Sequence, residues 1–190
     1  MKLIIGLGNP EADYAKTRHN MGFNVINKLA SEYGIEVTKS KFKGLYGTGT
    51  IEGEKVVLLK PQTYMNLSGE SVIEAMNFYK IPAEDILVIY DDVDVDPESI
   101  RIRKKGDPGS HNGMKSVTEI LGTTEFPRIR VGIGKPEYKS DMINYVIGYI
   151  PEEEVELLDK GTTLAKEAVI EMMKNGIDSA MNKFNKKKDV

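Results

Sequence analysis

The chain has 190 residues, 40% hydrophobic and 29% charged, the balance of one ordinary globular domain long enough to bury its own core. It holds no cysteine, no tryptophan and two histidines, His19 and His111, which excludes disulfide scaffolds, thiolate nucleophiles, zinc–thiolate centres, iron–sulfur clusters and three-histidine metal sites. The net charge of −3 conceals an uneven spread, with −8 over residues 61–100 and +5 over residues 101–140, so a basic face on an acidic whole is open to a phosphate-bearing partner.

The first residues, MKLIIGLGNP, hold an apolar stretch too short and too interrupted for a signal segment. No run approaches the ~18–20 apolar residues of a membrane helix, so the chain is expected in the cytoplasm. Residues 2–7 predict a buried strand that stops at Gly8-Asn9-Pro10. Phe23, Ile26, Leu29 and Ala30 fall at helical spacing over 20–33, with Gly34 placed as a C-cap. Residues 45–51 and 55–60 read as a hairpin, and 67–80 as a helix with Ser68 as N-cap. A second buried strand, 85–90, runs into Asp91-Asp92. Residues 99–104 alternate as a strand with Arg101 and Arg103 on one side, followed by a loop at 105–110, a helix at 112–121 and a strand at 128–133. Residues 151–174 predict a long helix opened by Pro151 and three glutamates, and 183–188 a frayed basic end. This alternation predicts a single α/β domain over 1–190. Its twisted sheet is mixed but mostly parallel, with helices on both faces.

Several familiar motifs fail. Gly6-Leu7-Gly8 starts like a dinucleotide fingerprint, but Glu11 stands where the third glycine belongs and Pro10 breaks the turn. There is no GK[ST] phosphate loop and no G-x-S-x-G elbow. Asp92-x-Asp94-x-Asp96 lacks the glycine and terminal glutamate of a calcium loop.

Four polar clusters remain where strands end or helices begin: Gly8-Asn9-Pro10, Thr17-Arg18-His19-Asn20, Tyr64-Met65-Asn66-Leu67-Ser68-Gly69 and Ser110-His111-Asn112-Gly113. Asp91 joins them at the carboxyl end of an apolar strand, where open α/β sheets bind ligands. Asparagines near helix starts serve as caps as readily as substrate ligands, and a lone histidine is more often structural than catalytic. The joint occurrence points further. Histidine is the natural base near neutral pH, a carboxylate orients it, and amides both hold a peptide-like group and donate to an oxyanion. With no serine or cysteine nucleophile beside it, such a base activates water. The site so described is an acyl hydrolase that requires no metal or cofactor.

The segments IIGLGNP, Tyr14 with TRHNMGF, KPQTYMNLSGESV, DDVDVD, GSHNGMKSV and FPRIRVGIGKP, in order over residues 4–136, closely resemble the bacterial peptidyl-tRNA hydrolase family. The resemblance implies cleavage of the ester between peptide and tRNA, which recycles tRNA released prematurely from ribosomes. It implies His19 as general base, Asp91 as its partner, and Asn9 as the residue that separates N-blocked from free aminoacyl substrates. Asn66 and Asn112 become substrate-holding amides, Tyr14 and Tyr64 contacts to tRNA or peptide, and His111 a supporting residue. Arg103 and Arg130 would hold the 5′ phosphate beside the 3′ CCA end, in a monomer. The loop Lys105–Ser110 departs from the family's glycine-rich pattern through Asp107-Pro108. Two other readings stay open: a non-catalytic RNA-binding protein of the same fold, and a metal hydrolase built on His19, His111 and Asp91, which a chelator would reveal.

Overall fold

Alternate side chains of Leu3-Ile4-Ile5 feed two different cores, because successive residues of a strand point to opposite faces. That is why this run is apolar throughout and its strand lies mid-sheet. The computed structural model describes residues 1–185. Its sheet comprises β1 (Lys2–Gly6), β2 (Lys39–Lys41), β3 (Gly44–Ile51), β4 (Glu54–Pro61), β5 (Ile86–Asp92), β6 (Ile100–Arg103) and β7 (Arg128–Gly132), in the order β2-β3-β4-β1-β5-β7-β6. The central four, β4-β1-β5-β7, are parallel. Antiparallel pairing is confined to the flanks, at β2–β3, β3–β4 and β6–β7.

The helices are α1 (Met21–Tyr33), α2 (Ser68–Tyr79), α3 (Asn112–Leu121), α4 (Met142–Ile147), α5 (Glu152–Asn175) and α6 (Ile177–Phe184). On one face α1 and α5 bury Val25, Ile26, Leu29, Ala165 and Val169 against Ile4, Leu58 and Ile89. On the other, α2 and α3 bury Val72, Ala75, Met114 and Val117 against Leu3, Ile5, Val57 and Val88. The predicted single α/β layer structure with helices on both faces is the one found. Gly34 ends α1 at φ 62°, its N–H donating to the Ala30 carbonyl, the left-handed cap that glycine tolerates.

Four details differ from expectation. Ser68 does not cap α2; it is the first helical residue, and its hydroxyl donates back to the Met65 carbonyl at 2.7 Å. The strand β2 is three exposed residues, Lys-Ser-Lys, with no apolar signal to reveal it. Neither α4 nor α6 is among the predicted elements, although Ile177, Ala180, Met181 and Phe184 fall at helical spacing. The basic end is not frayed as far as it is described: Lys183 and Phe184 finish α6. Asn185 then clamps edge strand β6, accepting from Ile102 N at 2.7 Å and donating to Ile102 O at 2.8 Å. Lys186, Lys187 and Lys188 lie outside the described residues. No helix among the described residues is long and apolar enough to cross a membrane.

Candidate active site

Asp91 is the penultimate residue of β5 and only 2% exposed. Both histidines of the chain reach it. His19 Nδ1 lies 2.8 Å from one carboxylate oxygen and His111 Nε2 lies 2.9 Å from the other, with the two rings 4.8 Å apart. An ionised carboxylate only accepts, so both ring nitrogens donate. Burial would push the Asp91 carboxyl up, but the two imidazoles outweigh it and hold the group well below the ordinary carboxylate range. For His19 burial pulls the other way; the Asp91 charge and hydrogen bond overcome it and raise the ring above its ordinary 6.5.

The two imidazoles arrive from opposite faces of the sheet. His19 sits in a tight 3₁₀ turn, Arg18–Asn20, at the start of α1, and His111 is the N-cap of α3. A glycine follows each and lets its helix come close. A Cβ on Gly22 would stand 2.5 Å from Leu7 N and from Ile89 O, so α1 rests on the ends of β1 and β5. A Cβ on Gly113 would stand 2.7 Å from the Met65 sulfur. Gly113 therefore admits the Met65–Leu67 turn, which carries Asn66, beside the start of α3.

Asn9 follows β1, next to β5 in the sheet. Asn20 takes the N-cap position of α1 but makes no cap bond. Its amide instead grips the Asn9 backbone at both ends, accepting from Asn9 N at 2.7 Å and donating to Asn9 O at 3.0 Å. No protein group bonds the Asn9 side chain among the described residues, so that amide is available to a ligand.

A cleft of about 310 Å³ opens beside the trio. His19, Asp91, His111, Asn112, Arg103 and Arg130 all line it. Asn9, Tyr14 and Asn66 do not; Tyr64, 70% exposed, lines a separate groove with Pro10 and Leu67. The basic residues differ in kind. Register sets Arg103 opposite Arg128 and Arg130 opposite Arg101, so all four share one face. Arg103 is exposed and Arg130 Nε bonds Asp92 at 2.7 Å. Arg128 is buried and spent on the carbonyls of Gly106, Thr124 and Phe126.

The family model for peptidyl-tRNA hydrolase matches residues 3–190. This chain belongs to that family. A peptidyl-tRNA hydrolase of Thermoanaerobacter sp. (strain X514) is 54% identical over 185 residues, covering 97% of this chain and 100% of the relative. One from Clostridium botulinum (strain Hall / ATCC 3502 / NCTC 13319 / Type A) is 50% identical, covering 97% of each. Among solved structures, peptidyl-tRNA hydrolase from Acinetobacter baumannii superposes with a TM-score of 0.90 at 41% identity, covering 96% of this chain and 93% of its own. A peptidyl-tRNA hydrolase complex with N-propanol gives 0.92 at 40%, covering 100% and 97%. The likeness to peptidyl-tRNA hydrolases thus spans the whole sheet and both helical layers.

Arg18, inside the Thr17–Asn20 cluster, also contributes to the cleft, through partners that no local sequence signal reveals. Arg18 is 5% exposed; its guanidinium stacks 3.9 Å above the Tyr145 ring, donates to Tyr145 O at 3.0 Å and pairs with Glu154. It ties the His19 turn to α4, which brings Met142, Ile143 and Val146 to the cleft. His19, Asp91 and His111 are also a group whose donor atoms lie within 4.8 Å of one another, close enough to consider a metal ion. Both carboxylate oxygens already accept an imidazole N–H, so a metal there would have to displace those bonds.

Proposed function

We propose that this chain hydrolyses the ester joining a peptide, or an N-blocked amino acid, to the 3′ end of tRNA, with His19 as the general base. Family membership supports the reaction. The observation that supports the mechanism is the 2.8 Å contact of His19 Nδ1 with the buried Asp91 carboxylate in the cleft wall. That bond puts the ring proton on Nδ1 and leaves Nε2 as the acceptor. Nε2 takes a proton from water as the oxygen attacks the ester carbonyl. Asp91 stabilises the imidazolium so formed. When the tetrahedral intermediate collapses, the imidazolium returns its proton to the departing 3′ ribose oxygen, leaving peptide acid and free tRNA.

Asn9, its backbone held by Asn20, engages the peptide amide and thereby favours N-blocked substrates. Asn66 donates to the developing oxyanion or holds the water, and Asn112 holds substrate in the cleft. Tyr14 and Tyr64 contact peptide or tRNA. Arg103 and Arg130 take the 5′ phosphate of the acceptor end, a role suited to a planar fork of donors. Family membership supports a working monomer, and the substrate class supports a cytoplasmic location. The joint retention of base, carboxylate and asparagines favours an enzyme over a passive RNA-binding protein.

The deciding assay is tRNA release from N-acetyl-aminoacyl-tRNA, with free aminoacyl-tRNA as control. Release from the first and little from the second is expected. Equal rates on both would refute the role of Asn9, and release from neither would refute the activity.

A further inference from the structure

His111 has both ring nitrogens committed. Nδ1 accepts the Met114 backbone N–H at 3.2 Å, as the N-cap of α3, while Nε2 lies 2.9 Å from Asp91 Oδ1. A nitrogen that accepts an N–H carries no proton, so the ring proton is on Nε2, aimed at Asp91. A second proton on Nδ1 would face both the Met114 N–H and the positive end of the helix. We propose that His111 is a positioning residue, locked by the cap of α3 as its Nε2–H tautomer. Its donor aims the Asp91 carboxylate and shares its charge, so that His19 alone changes protonation during the reaction. This inference rests on the reading of His19 as the base.

The surroundings leave that division of labour undisturbed. On β5, the Tyr90 and His111 rings form a T-shaped pair with centroids 5.1 Å apart, and Asp92 turns away to Arg130. On the turn before α1, Arg18 is engaged by Tyr145 and Glu154. Across the cleft stand Arg103 of β6, Lys105 and Asp107 of the following loop, and Asp94, which pairs with Lys135. Arg128 beneath them is held by backbone carbonyls. On α3, Lys115 is exposed, and α4 offers the cleft only Met142, Ile143 and Val146. None of these groups bonds either imidazole or Asp91 among the described residues.

Two measurements on the intact protein test the proposal. Nitrogen-15 NMR of the histidine rings should show His111 with an unprotonated Nδ1 and a protonated Nε2 throughout the pH range in which activity rises, while His19 titrates. An imidazolium pattern at His111 over that range, or the opposite tautomer, would overturn it. The second measurement separates the two bonds. H111N keeps an acceptor for Met114 N–H but falls short of Asp91; H111Q reaches Asp91 with a donor but abandons the cap. For H111N, kcat should fall roughly 10–100-fold as the pair loses alignment. Its kcat/KM midpoint should move to higher pH, because the unshared Asp91 charge favours the His19 imidazolium more strongly. H111Q should keep the wild-type midpoint. A wild-type profile in H111N, or the same displacement in both variants, would overturn the proposal. A wild type inactive on N-acetyl-aminoacyl-tRNA would instead defeat the hydrolase reading, with the NMR pattern still deciding the tautomer.

Discussion

The two ends of the cleft hold their charges in opposite ways. At the Asp91 end, a carboxylate and two imidazoles are packed at the carboxyl end of a central strand, and each carboxylate oxygen has its own donor within 2.9 Å. At the basic end, Arg103 is exposed with no carboxylate partner among the described residues, and Arg130 is half-buried and tied to Asp92. Proton transfer needs one geometry and a setting poor in water, where a neighbouring charge counts for much more. A phosphate is a broad anion that an exposed, long side chain can reach in several ways, at the cost of screening by salt. Substitutions at the first end should therefore appear in kcat and its pH dependence, and at the second in KM and its salt dependence.

The sharpest way to break that contrast is His19→Ala. Turnover should fall by at least ~10²–10⁴-fold, the usual contribution of a general base, with KM near wild type and the fold retained. Single-turnover kinetics that retain the wild-type rate would remove His19 from the chemistry.

Asp91→Asn comes next. In the wild type, kcat/KM should rise with pH through a midpoint above 6.5, because Asp91 holds the His19 ring above that value. Without the charge, burial dominates and the midpoint should drop, together with a large loss of kcat. Asp92→Asn should change both far less, since Asp92 faces Arg130 instead. Exchanged effects in the two pH–rate profiles would mean the wrong carboxylate carries the role. The same pair contributes to stability in two separate windows. Asp91 titrates lower in the folded than in the unfolded chain, so its contribution is present above its ordinary 3.8 and is lost as the pH falls through the lower folded value. His19 titrates higher when folded, so its contribution is full below 6.5 and fades as the pH rises through the folded value. Acid and alkaline denaturation curves of Asp91→Asn should lose both dependences.

Asn9→Ala should leave much of the activity on N-acetyl-aminoacyl-tRNA but reduce the preference for it over free aminoacyl-tRNA. A site built to bond an amide rejects the analogue that lacks it. Asn20→Ala should erode the same ratio of kcat/KM values by a smaller factor, because it frees only the Asn9 backbone. An unchanged ratio in both would place the discrimination elsewhere.

Arg103→Ala should be milder still: KM raised, kcat nearly constant, and the slope of log affinity against log salt shallower by roughly 0.7–0.9 for each phosphate no longer neutralised. Removing the tRNA 5′ phosphate should cancel most of the difference from wild type. If slope and KM stay put, the phosphate site lies on other cations such as Lys104 or Lys105. Prolonged chelation should have the smallest effect, none on kcat; loss of activity restored by a divalent ion would turn the trio into a metal site.

Local pattern carried much of this protein. The apolar runs at Leu3–Leu7 and Ile86–Tyr90 announce central strands because both faces of such strands are covered. The 3.6-residue spacing from Phe23 to Ala30, closed by Gly34, announces α1 with its end. Polar clusters at the ends of those elements mark one edge of the sheet as the place for chemistry. What remained hidden depends on contacts between remote segments. His19 and His111 stand 72 and 20 residues from Asp91, and nothing in their spacing says that they take one oxygen each. Asn20 could equally have capped α1, and only the fold turns its amide onto Asn9. Arg128 and Arg130 are equivalent in the strand pattern, yet one is spent on backbone carbonyls and the other is paired with Asp92 in the cleft wall. The elements β2 and α4 are too short to show a period; α6 does show one, at Ile177, Ala180, Met181 and Phe184, but over only eight residues. Periodicity and capping are encoded between near neighbours and can be read along the chain. Which side chains finally meet is set by the packing of the whole sheet, to which no stretch of sequence refers by itself.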